Sequence, residues 1–196
     1  MILAFLAVFS GLSLNLILQF ALGLRGAAGD NPGNGENLLT VFQTGILFLS
    51  VLLLWMVFHY ILPPMPGEFL TYCLFFPCSA LLCRGLESLG FRLFPKAAEG
   101  RRLFSAFTGY DGIVPAALFI TFNVALGFSD ALVLSFFFSL GNLTAVLILG
   151  EIRRRSALEW VPSRLRGSPL ILISMGLLSL VFSSVAGICF KILEKF

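Results

Sequence analysis

Apolar residues run through this chain in blocks of about the length that crosses a bilayer, roughly 20 residues each. Six such segments can be drawn, at Met1–Leu24, Leu38–Leu62, Glu68–Leu89, Ile113–Phe128, Asp130–Gly150 and Pro169–Leu193. Polar residues gather between them, so the pattern predicts six helices joined by short polar connections. Two segments depart from it. The fourth is short, follows Gly109-Tyr110-Asp111-Gly112 and carries Pro115 in its first turn. Little more than Ser129-Asp130 separates it from the fifth, so a half-helix or re-entrant segment is expected there. The first segment runs into Leu22-Gly23-Leu24-Arg25-Gly26 and then a turn-rich stretch containing Gly29, Asn31, Pro32, Gly33 and Gly35. Paired interrupted helices in two halves of a chain point to inverted-repeat membrane architecture.

The halves share a short likeness, since Gln19-Phe20-Ala21-Leu22-Gly23 and Asn123-Val124-Ala125-Leu126-Gly127 have Ala-Leu-Gly in common. An odd number of helices per half turns the second half upside down relative to the first. The expected fold is therefore all-α. It is one integral membrane domain of six transmembrane helices, built as two inverted three-helix repeats with helices one and four interrupted. The repeats cover about 1–91 and 112–196, with a basic connector at about 92–111. No Lys or Arg precedes Arg25, so the first segment lacks the basic start of a signal peptide and is kept as a mature helix.

Composition removes the alternatives. Hydrophobic residues make up 58% of the 196 positions and charged residues 12%, against about 25% charged in ordinary globular domains. Too few charges remain to cover a soluble enzyme, and intrinsic disorder fails for the same reason. The net charge of +3 does not indicate nucleic acid, because the basic residues occupy short segments between apolar runs. Arg92, Lys96, Arg101 and Arg102 follow the third segment, and Arg153, Arg154, Arg155, Arg164 and Arg166 follow the fifth. The positive-inside rule makes that side cytoplasmic in a bacterial-type inner membrane and turns both termini outward. Arg25 agrees, while Lys191 and Lys195 lie on the other side.

Polar residues within the spans are the candidates for chemistry, because an unpaired amide in hydrocarbon costs several kcal/mol. Gly11, Asn15, Gln19 and Gly23 recur every fourth residue and form one winding stripe. It is read either as the lining of an ion or electron route or as a hydrogen-bonding seam between helices. In the sixth segment Ser179, Ser183 and Gly187 have small-xxx-small spacing, with Gly176 near the same face, which reads as helix packing. Ser135, Ser139 and Asn142 form a similar face on the fifth.

Cys73, Cys78 and Cys83 are five apart, so each is rotated by about 140° from the last and they cannot converge on one metal. His59, beside Tyr60 and Pro63-Pro64, reads as an interfacial anchor. Glu68, Glu87, Asp111, Asp130 and Glu151 sit at helix ends, and Glu151 has Arg153-Arg154-Arg155 beside it for an ion pair. The glycines at 26, 29, 33 and 35 lack the Gly-Lys-Ser/Thr ending of a P-loop. No Ser/His/Asp or paired-carboxylate arrangement is present, which removes hydrolytic chemistry.

The order Ile152-Arg153, Val161-Pro162, Arg166-Gly167 and Leu172-Ile173-Ser174-Met175-Gly176-Leu177-Leu178-Ser179-Leu180 resembles the C-terminal third of the A-type membrane component of the Rnf electron-transport complex. Its counterpart is the E-type component of the sodium-pumping NADH:quinone reductase, Nqr. Asn15, Phe20, Gly23 and Leu24 fit the family's first helix, and Thr121 with Leu126-Gly127 fits its fourth. In that family a cysteine from each of these two helices, with the same pair from a sister subunit of opposite orientation, holds an iron–sulfur cluster.

Here those cysteine positions hold Arg25 and Asn123, and neither side chain can replace a thiolate on iron. The resemblance therefore implies a non-catalytic membrane subunit of an ion-translocating electron-transport complex that binds no cofactor or metal itself. Flavin, Fe–S and NAD would belong to partner subunits, and an opposite-topology sister subunit would be among the partners. Asn15, Gln19, Gly23, Arg25, Asn123 and Gly127 are the candidates for a midplane site. Arg25 would bind an anionic group, hold an opposite helix end, or act only as a topology charge. The rival readings are a small-molecule or ion carrier of the same fold and a structural or assembly subunit.

Overall fold

The computed structural model describes residues 2–20, 36–61, 68–93, 112–158 and 168–194. All regular structure among them is helical, with no strand. Helix α1 (Ile2–Val8) widens into a π-type turn (Phe9–Ser13), breaks at Leu14-Asn15 and resumes as α2 (Leu16–Phe20). Helix α3 (Glu36–Met56) ends in a second π-type turn, Val57–Ile61. Helix α4 (Glu68–Leu93) contains Pro77, and α5 (Ile113–Val124) is followed by α6 (Phe128–Leu158) and α7 (Ser168–Leu193).

Four helices carry apolar stretches long enough to cross a bilayer: Val41–Tyr60 in α3, Tyr72–Gly90 in α4, Phe128–Ile152 in α6 and Pro169–Leu193 in α7. The chain is a multi-pass membrane protein. The other two apolar segments are shorter, Phe5–Leu18 and Ile113–Val124. At 1.5 Å per residue α5 is about 18 Å long, well short of the ~30 Å hydrocarbon layer.

Each end of α5 has a local cause. It starts at Gly112, whose φ of 79° is left-handed and strains any residue with a Cβ. Pro115 then falls in the first turn, where its missing N–H removes a donor that would have no helical partner. The helix closes with the Ala125 amide on the Thr121 carbonyl, and α6 opens with the Ala131 amide on the Gly127 carbonyl. Asp130 falls in the first turn of α6, where a carboxylate complements the helix dipole. The junction is therefore Ala125–Gly127, a few residues before the expected Ser129-Asp130.

Helix α6 is the centre of the bundle. It packs on α1, the first π-type turn and α2, on α3, on α5 and on α7. Helix α3 also packs on α4 and α5, α4 on α5, α2 on α5, and α7 on α1, its π-type turn and α2. Trp55, Ile17, Leu47, Val51, Leu118, Leu134 and Leu149 fill the interior. Helix α7 lies at the edge, anchored by Phe5 against Phe190 with ring centroids 4.6 Å apart. Its outer face carries Leu177, Leu180 and Ile188, all exposed, as expected of a face that meets lipid or another membrane chain.

Buried hydroxyls are mostly satisfied within their own helices. Ser10 donates to the Leu6 carbonyl, Thr121 to Ala117, Ser139 to Phe136 and Thr144 to Gly141, at 2.7–2.9 Å. Ser135 Oγ, Asn142 Oδ1 and Trp55 Nε1 are buried with no hydrogen-bond partner among the described residues.

Candidate functional site: two helix breaks

The first break is built around Asn15. Its side-chain Oδ1 accepts from the Leu18 amide at 3.3 Å and so caps α2. Its Nδ2 donates to the Gly141 carbonyl on α6 at 2.8 Å. The residue is fully buried, and both bonds replace water that hydrocarbon cannot supply. Close approach makes the second bond possible, since a Cβ at Gly141 would lie 2.6 Å from the carbonyl oxygen of Gly11. Glycines at 11 and 141 let the π-type turn and α6 meet backbone to backbone. Asn15 thus forms a seam between helices at the middle of the apolar stretch of α6.

The second break follows Asn123. Its Nδ2 donates to the Phe119 carbonyl one turn back at 2.7 Å, and its Oδ1 accepts from the Tyr72 hydroxyl of α4 at 3.0 Å. Beyond it Leu126 is 91% exposed, and a Cβ at Gly127 would meet nothing within 4 Å. Among the described residues the amides of Leu126 and Gly127 have no backbone partner. Tyr72 lies in the first two turns of α4, so the junction packs beside that end of α4.

The other expected site residues are distributed as follows. Gln19 lies in α2, its side chain outside the described residues, and Gly23 and Arg25 also fall outside them. Gly176, Ser183 and Gly187 are exposed, with nothing within 4 Å of a Cβ at either glycine, and Ser179 is half-buried. Among the described residues no helix makes a close approach on this face. Cys73 is exposed while Cys83 is buried and donates to Ser50 Oγ at 3.4 Å, so the cysteines diverge as their spacing requires. Glu151 pairs with Arg155 at 3.0 Å and Arg154 at 3.4 Å. His59 stacks on Trp55 at 4.5 Å, with Tyr60 edge-on to both rings.

Sequence reading missed Tyr72 and Gly141. A tyrosine at the start of a span reads as an ordinary interfacial anchor, and one glycine in α6 does not reveal which helix it touches. Chemically, the two described breaks offer amide and carbonyl groups. They can hold hydrogen bonds or an oxygen-coordinated species, and position 123 supplies no thiolate.

No protein-family model matches the chain. Curated relatives do. The A-type component of the ion-translocating oxidoreductase complex of Aromatoleum aromaticum is 26% identical over 189 residues, covering 94% of this chain and 96% of that protein. The E-type component of the Na(+)-translocating NADH-quinone reductase of Proteus mirabilis is 27% identical over 185 residues, 89% of this chain and 91% of its own. The chain resembles the Rnf A-type and Nqr E-type family nearly from end to end. A third such relative is the A-type component of the proton-translocating ferredoxin:NAD(+) oxidoreductase complex of Clostridium ljungdahlii. It is 23% identical over 182 residues, 93% of this chain and 86% of its own. The resemblance read from Ile152–Leu180 and from the first and fourth helices is to these same proteins.

Proposed function

We propose that this chain is a membrane subunit of an ion-translocating electron-transport complex of the Rnf or Nqr kind, and that it does not itself ligate an iron–sulfur cluster. The carrying observation is the similarity, over 94% of the chain, to a protein named as part of such a complex. Arg25 and Asn123 at the cysteine positions argue against a cluster held by this chain. Flavin, Fe–S and nicotinamide sites then belong to partner subunits. The basic connector and the Arg153–Arg155 region face the cytoplasm, and the termini face outward across an inner membrane.

An arrangement as two inverted halves is supported by most of the helix contacts, the α5–α6 pair being without a comparable α1–α2 to α3 contact among the described residues. Exchanging α1–α2 with α5, α3 with α6 and α4 with α7 carries α1–α2 on α6 onto α5 on α3. It carries α1–α2 on α7 onto α5 on α4, and α3 on α4 onto α6 on α7, all of which are observed. The α3–α6 and α2–α5 pairs map onto themselves. Helices α5 and α6 adjoin through their break, and the counterpart connection from α2 to α3 runs through residues 21–35, outside the described residues. Such a fold pairs naturally with a sister subunit of opposite topology.

The test is purification of the tagged chain from its native membranes in mild detergent, with identification of what accompanies it. Recovery of membrane sister subunits and flavin-bearing partners is the expected result. Recovery alone, or as a homodimer, would sink the subunit reading in favour of a carrier.

A further inference from the structure

We infer that Tyr72 is a positioning residue for the α5–α6 junction, holding the C-terminal end of α5 against α4 through Asn123. The junction itself has little to fix its direction. Leu126 is 91% exposed, Gly127 has open space around it, and among the described residues the backbone bonds of the turn are Ala125 to Thr121 and Ala131 to Gly127. Asn123 is the last polar side chain before the turn. Its bond to the Phe119 carbonyl fixes the amide plane and aims Oδ1 at α4, where the Tyr72 hydroxyl meets it.

Tyr72 is held in turn. Its ring lies 4.9 Å from that of Phe119 and edge-on to Phe75 at 5.5 Å, and Phe75 is itself buried against Phe122 at 5.3 Å. The hydroxyl is therefore presented from a stiff aromatic seat that touches α5 at two levels. The tether spans 51 positions of sequence and joins the junction to a helix most of whose apolar stretch faces outward. Whatever docks on and shifts α4 also turns the junction.

The test uses the full chain in lipid nanodiscs, with Cys73, Cys78, Cys83 and Cys189 replaced by alanine and a nitroxide label at Leu126→Cys. Tyr72→Phe keeps the ring and removes only the hydroxyl. It is expected to raise the mobile fraction of the label about threefold, the effect of an average hydrogen bond between membrane helices. Asn123→Ala should raise that fraction at least as much, since it also removes the bond to the Phe119 carbonyl, and adding Tyr72→Phe to it should change nothing further. A second label at the exposed Leu140→Cys on α6 should keep its spectrum. An unchanged Leu126 label in Tyr72→Phe, additive effects of the two substitutions, or loosening at both labels would each overturn the inference.

Discussion

Asn15 shows how much of this bundle rests on one side chain. One amide caps α2 and ties the break to α6, and the contact exists because Gly11 and Gly141 bring two backbones together. Asn15→Leu is expected to lower stability by about 1–2 kcal/mol, the usual cost of a lost cap, measured by thermal unfolding in detergent. The two glycines should respond differently. A Cβ at 141 would press on the backbone oxygen of Gly11 at 2.6 Å, so Gly141→Ala must push the helices apart, at about 1–3 kcal/mol for overpacking. At Gly11 the nearest atoms are 3.4–3.6 Å away on Phe137, an ordinary contact, so Gly11→Ala should change stability by less than about 0.5 kcal/mol. Equal losses in the two variants would disprove the asymmetry. The four-residue rhythm of Gly11, Asn15 and Gln19 announced a protein-facing stripe. It could not reveal that Gly141 receives the hydrogen bond of Asn15, because that depends on a contact 126 positions away.

The elements divide into those legible from hydropathy and those that are not. The stretches in α3, α4, α6 and α7 follow directly from runs of apolar residues, which need only length to declare themselves. The shortness of α5 was also readable, since Gly112 and Pro115 mark its start. Its end was harder to place, because Leu126-Gly127-Phe128 is as apolar as the helices on either side and only the backbone bonds separate them. The break in the first helix was expected near Leu22–Gly26, a stretch outside the described residues, and the break that is seen lies earlier, at Leu14-Asn15. Helix α7 offers a test at this scale. Leu180 is 68% exposed in the middle of its apolar stretch. Leu180→Lys should make membrane insertion about 3–4 kcal/mol less favourable. A glycosylation-reporter insertion assay would read this as a fall in the inserted fraction of α7, and unchanged insertion would show that this part of the helix never meets hydrocarbon.

For the molecule as a whole, the face of Gly176, Ser183 and Gly187 is where the packing of the described residues leaves room for a further helix. Among the described residues nothing lies within 4 Å of a Cβ at Gly176, so the thermal stability of Gly176→Leu should hold or rise slightly. If a partner helix packs there, the same variant should lose co-purifying subunits, and full recovery of partners would remove this face from the assembly. Family resemblance was legible in the sequence because short motifs survive at about a quarter identity. The arrangement of the helices was not, since hydropathy orders spans along the chain without saying which ones touch.

The shortness of α5 also bears on how the protein is made. Twelve residues are too few for the insertion machinery to retain as a separate span. The segment can therefore be integrated only together with α6, entering as a hairpin bent at Ala125–Gly127. Truncation during synthesis before α6 emerges should leave a cysteine placed in α5 open to an aqueous maleimide, whereas truncation after Ile152 should shield it. Biogenesis of the second half thus waits on the helix that later becomes the centre of the bundle.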